Sequence, residues 1–101
     1  MADAYLRVWV KGGKVADANA LLDLMDGRYF APVEYLGSAR LDHELADTPA
    51  EDRCHILIGL RGREGAIRTA IGKVKAEPQV DTAHGDGGVQ TLWVASILVN
   101  K

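Results

Sequence analysis

Residues 5–11, YLRVWVK, alternate: Leu6, Val8 and Val10 share one side, Tyr5, Arg7 and Trp9 the other. A period of two predicts a strand. GGK turns the chain. Between residues 14 and 26 the apolar positions Val15, Ala18, Leu21, Leu22 and Met25 recur at helical spacing, and Gly27 stands where a helix usually stops. Residues 29–41, YFAPVEYLGSARL, read as a second strand in which Pro32 points to an edge position or a bulge. The next stretch, DHELADTPAED, has little periodicity and five acids, which predicts an exposed loop over 42–52. CHILIGL, 54–60, is a short apolar strand. EGAIRTAIGKVK sets Ala66, Ile67, Ala70, Ile71 and Val74 on one stripe, a second helix ending near Pro78. VQTLWVASILV, 89–99, is the longest strand candidate.

The element order is β-α-β-β-α-β over one domain, 1–101. It predicts an α+β, ferredoxin-like sandwich: a four-stranded antiparallel sheet with two helices on one face. In the last strand Leu92, Val94 and Leu98 occupy one parity, while Trp93, Ala95, Ile97 and Val99 occupy the other. A strand apolar on both sides is normally buried on both sides. Together with Trp9, this predicts self-association.

Composition narrows the function. A formal charge of −2 offers no basic field to nucleic acid or an anionic membrane. No apolar run approaches a membrane span, and MADAYLRV lacks the form of a signal peptide. The single cysteine, Cys54, permits no internal disulfide, which fits a reducing cytoplasm.

Candidate chemistry is sparse. Cys54, His55, His43 and His84 show none of the spacings of a structural zinc site, and adjacent Cys54 and His55 point to opposite faces of a strand. Cys54 reads as a small buried hydrophobe. Ser38 and Ser96 lack a neighbouring His and acid in an activating pattern. No residue pattern asks for catalysis, so the chain reads as a non-enzyme. Arg61, Arg63, Arg68, Lys73 and Lys75 read as the solvated face of the second helix.

The glycine cluster His84, Gly85, Asp86, Gly87 and Gly88 is different. Bare consecutive amides form a nest for anions, phosphates especially, although positive-φ turns need glycine too. A second stretch, EYLGSAR, adds Gly37, Ser38 and Arg40, and arginine suits a phosphate or carboxylate.

These segments resemble the PII signal-transduction family. VKGGKVAD supplies Lys11, Lys14, Val15 and Asp17; Glu34, Gly37 and Arg40 match the base of that family's mobile loop; Gly85, Asp86 and Gly87 match its Gly-Asp-Gly. The resemblance implies a homotrimer binding adenine nucleotides (ATP, ADP or AMP) between subunits, with no tightly bound cofactor. The glycine loop would hold phosphates, Gly37, Ser38 and Arg40 would contribute from the loop base, and Lys101 would come from the neighbour. The loop, 41–53, would control a transporter, enzyme or regulator, and membranes would be reached only through such a partner.

Departures from the family pattern accompany the matches. Gly88 stands where the family has lysine, Ala83 and His84 replace lysine-isoleucine, and Leu41 replaces the glutamine tied to magnesium and 2-oxoglutarate. The loop lacks a tyrosine to uridylylate. This implies a relative with altered ligand choice. Two other classes compete: an ACT-like or nickel-regulator-like dimer binding an amino acid or metal, and a small dimeric α/β enzyme using His43, His55 or His84 as acid or base.

Overall fold

The computed structural model describes residues 1–42, 54–84 and 86–94. Its elements are β1 (Ala2–Trp9), α1 (Val15–Leu24), α2 (Gly27–Phe30), β2 (Glu34–Asp42), β3 (Cys54–Gly62), α3 (Glu64–Lys75) and β4 (Val89–Val94). The strands form one sheet in the order β2-β3-β1-β4, every neighbour antiparallel. This is the arrangement of a ferredoxin-like α+β domain, with the short α2 added to its two main helices.

The alternation of β1 decides which side is core. Leu6, Val8 and Val10 are fully buried, as are Ile56, Ile58 and Leu60 of β3, and they meet Leu21 of α1 and Ile67 and Val74 of α3. Tyr5, Leu36 and Leu92 remain exposed on the opposite face. In α3, Glu64 sits in the first turn and Lys73 and Lys75 in the last, each placed to suit the helix dipole. Arg68 pairs with Glu64 one turn earlier at 2.8 Å.

Two expectations change. The first helix stops at Leu24, and Gly27 opens α2 rather than closing a helix. The cause is Asp26, whose carboxylate accepts from the amides of Arg28 and Tyr29 and caps a new turn. The second strand therefore begins at Glu34, beyond Tyr29, Phe30 and the cis Ala31–Pro32 peptide. It is an edge strand with an irregularity between Tyr35 and Gly37, where Gly37 takes φ +132°. The helix-side aromatics close over this entry, with Tyr35 stacked on Phe30 at 6.0 Å. Leu41 and Asp42, at the start of the loop expected over 41–53, belong to β2; 43–53, with His43, lies outside the described residues. The strand expected over 89–99 is described to Val94, so Ser96 also falls outside.

Candidate functional site

The glycine turn is built on the end of β1. The Asp81 amide donates to the Trp9 carbonyl at 2.9 Å and the Trp9 amide donates to the Gly88 carbonyl at 3.0 Å, so one residue holds both ends of the turn. Just before it, Lys11 N–H bonds to the Gln79 carbonyl, and Val10 bridges Val80. Inside the turn, the amides of His84, Gly88 and Val89 donate to the carbonyls of Asp81, His84 and Asp86. The nest is thus narrower than five bare residues suggest, because these amides already have acceptors.

Gly88 and Gly87 have different reasons to be glycine. Gly88 has φ +86°, and a Cβ there would lie 2.5 Å from Val80 Cγ1 and 2.7 Å from the Asp81 carbonyl oxygen. That position is dictated by the turn. Gly87 has φ +66°, and its missing side chain faces the stem of Lys75. Lys75 Nζ meets Asp86 Oδ2 at 3.3 Å. His84 lies against Trp9, with Asp81 Oδ2 3.8 Å from its Nε2.

Beside this turn, between α3 and the outer edge of β4, runs a groove of about 460 Å³ lined by Arg68, Ile71, Lys75, Asp86, Gln90, Thr91 and Trp93. Arg68 lies over the Trp93 indole, 5.0 Å from its centroid. Sequence reasoning placed Arg68 and Lys75 on a solvated helix face. Their spacing of seven residues aligns them along the helix, and the fold turns that line toward the glycine turn. Lys73 and Arg61 are likewise engaged: Lys73 Nζ lies 4.0 Å from the Tyr29 ring centroid, and Arg61 belongs to β3 and pairs with Asp3 at 2.7 Å.

The second candidate stretch lies elsewhere. Gly37, Ser38 and Arg40 belong to β2, at the far edge of the sheet from β4. Three strand spacings, about 14 Å, separate the edges. Within one chain the two stretches do not meet. The Ser38 hydroxyl bonds the Tyr35 hydroxyl at 2.6 Å, and Arg40 donates to the Asn19 side chain of α1 at 2.8 Å. Gly85 and Lys101 lie outside the described residues.

Another groove, about 550 Å³, is lined in part by Lys11, Gly12, Lys14 and Asp17. There the Asp17 carboxylate already occupies the first turn of α1, close against Gly12. That places negative charge where an anion would otherwise gain from the helix terminus. Among the described residues no three His, Cys, Asp or Glu side chains converge on a metal position. Cys54 is buried. No helix among the described residues is long and apolar enough to cross a membrane. Comparison of the chain with protein-family models, characterised proteins and solved structures returned no match.

Proposed function

We propose that this chain is a PII-like regulatory domain of the cytoplasm, not an enzyme, that binds an adenine nucleotide or a similar anionic metabolite beside its glycine turn. One observation carries the reading: Arg68, Lys75 and the Trp93 indole line a single groove that reaches Asp86 of the glycine turn. Phosphate oxygens need fixed positive charge, and a planar base needs an aromatic face. The Lys75–Asp86 and Arg68–Glu64 pairs do not close the site. Asp86 is 89% exposed, and ion pairs this wet are worth little, so an incoming phosphate competes for both cations at small cost.

The position of Gly37, Ser38 and Arg40 on the opposite edge supports a site completed between copies, in a homotrimer, with β2 of one subunit beside the glycine turn of the next. Ligand state would then be felt at the base of the 41–53 segment and passed through it to a protein partner.

Calorimetric titration with ATP, ADP, AMP and cyclic adenine nucleotides, with and without magnesium, tests this. The expected result is about one nucleotide per chain, with affinity falling at least about tenfold in Lys75→Ala and Arg40→Ala. Silence across the panel, or unchanged affinity in both variants, rejects the reading. A dimeric mass with no nucleotide response would favour the ACT-like class.

A further inference from the structure

Three side chains meet where the glycine turn folds back on β1. The His84 imidazole lies against the Trp9 indole, with ring centroids 5.9 Å apart, and Asp81 Oδ2 stands 3.8 Å from His84 Nε2. The carboxylate is held in place by its own residue. The Asp81 amide donates to Trp9, the Asp81 carbonyl accepts from the His84 amide at 3.2 Å, and Oδ1 accepts from the Ala83 amide at 3.1 Å. The His84 and Asp81 side chains are only 24% and 23% exposed, so salt and water screen the pair incompletely.

At 3.8 Å the pair is too far apart for a hydrogen bond, and a neutral imidazole gains only its stacking. An imidazolium in the same place gains a Coulomb attraction to the carboxylate and a cation–π attraction to the indole. Histidine is the side chain that changes charge between about pH 5 and about pH 8. We infer that His84 is a proton-operated latch on the glycine turn. Protonated, it is gripped by Asp81 and Trp9 together; neutral, it leaves the turn to its backbone hydrogen bonds and stacking. The other charges nearby leave the balance to Asp81. Lys75 of α3 is offset by Asp86 of the turn, 3.3 Å away. Arg7 of β1 and His55 of β3 also approach the Trp9 ring, each at 5.8 Å, and positive charge on either works against protonation of His84. Asp86, which holds Lys75, stands two residues beyond His84, so the latch acts beside the groove of Arg68 and Trp93. It is a property of the ligand-free chain and does not depend on what the groove binds.

Titration of the ligand-free Trp93→Phe chain from about pH 5 to about pH 8, followed by Trp9 emission and by NMR of the His84 ring protons, provides the test. Emission is expected to fall on the acid side in one step, because an imidazolium quenches an adjacent indole, with the midpoint of the His84 signals. His84→Gln should abolish the step. Asp81→Asn, which keeps an oxygen for the Ala83 amide, should move the midpoint down by at least about half a pH unit. Hydrogen-exchange protection of the Gly88 amide, which donates to the His84 carbonyl, should be at least about threefold higher below the step than above it, after correction for intrinsic exchange. Flat emission, a step that survives His84→Gln, an unmoved midpoint in Asp81→Asn, or equal protection on both sides would overturn the inference. The first and last of these are read without any change at the turn, so the test stands even where a variant fails to fold.

Discussion

The Trp9 indole lies parallel to the His84 imidazole, with centroids 5.9 Å apart and planes 8° from coplanar. His55 stacks on Trp9 as well, at 5.8 Å. The backbone of Trp9 holds both ends of the glycine turn while its ring holds the middle, so the turn cannot move without disturbing the indole. Trp9 is therefore a built-in reporter. In a Trp93→Phe variant it is the only tryptophan, and its emission should shift during nucleotide titration with the midpoint seen by calorimetry. His84→Ala removes one stacked partner and should lower unfolding free energy by about 0.5–1.5 kcal/mol in urea denaturation.

The two described positive-φ glycines of the turn should behave differently. Gly88→Ala meets the Asp81 backbone, which cannot swing aside, and should cost at least about 2 kcal/mol in stability. Gly87→Ala bears the left-handed penalty of about 1–2 kcal/mol, but its Cβ would be 3.2 Å from the flexible Lys75 stem, which can yield. Its larger effect should be on nucleotide affinity, because Lys75 must move from its present place. Paired denaturation and titration experiments on the two variants check the contrast. Equal losses of affinity per unit of stability would mean that the turn is only a turn.

Much of this architecture is legible from periodicity. The alternation of β1 and the stripe of α3 each name residues that prove buried, because a half-buried element must repeat with its own geometry. Gly27 misleads because the Asp26 cap converts a helix end into a new start, a local hydrogen bond that outweighs glycine's usual role. The site is less legible. His84, Asp86 and Gly87 are recognisable as a cluster, whereas Arg68 and Lys75 look like any solvated helical charges until the sheet order sets α3 beside β4. Their neighbours in the groove, Trp93 beside Arg68 and Asp86 beside Lys75, are more than ten residues away in sequence, and only the tertiary fold joins them.

Acid stability should depend on Asp3. Its carboxylate accepts from Arg61 Nε at 2.7 Å and from Nη2 at 3.0 Å, and this hydrogen bonding holds its pKa below the ordinary carboxylate value. The folded state thus prefers the ionised form. The contribution is complete above the unfolded pKa of about 3.9 and is lost as pH falls through the lower, folded pKa. Asp3→Asn keeps the shape without the charge. Its melting temperature should fall less steeply with acidification between about pH 5 and about pH 2 than that of wild type. Parallel curves would show that the pair has no such role.

Alkaline stability should depend on Tyr29 with the opposite sign. Burial first, and then its hydrogen bond to Glu77 at 2.9 Å, raise the phenol pKa well above its ordinary value. The neutral hydroxyl is the form the fold favours. Below the unfolded pKa of about 10 this stabilisation is fully present; above it the unfolded chain releases the proton while the folded chain keeps it, so stability declines as pH rises. Tyr29→Phe should cost about 0.5–1.5 kcal/mol at neutral pH through the lost hydrogen bond, while Lys73 retains both its bond to the residue 29 carbonyl and a ring beneath it. The difference between wild type and variant should then shrink above about pH 10, because only wild type has a phenol to titrate. A difference that stays constant to high pH would show that the hydroxyl ionises equally readily in both states.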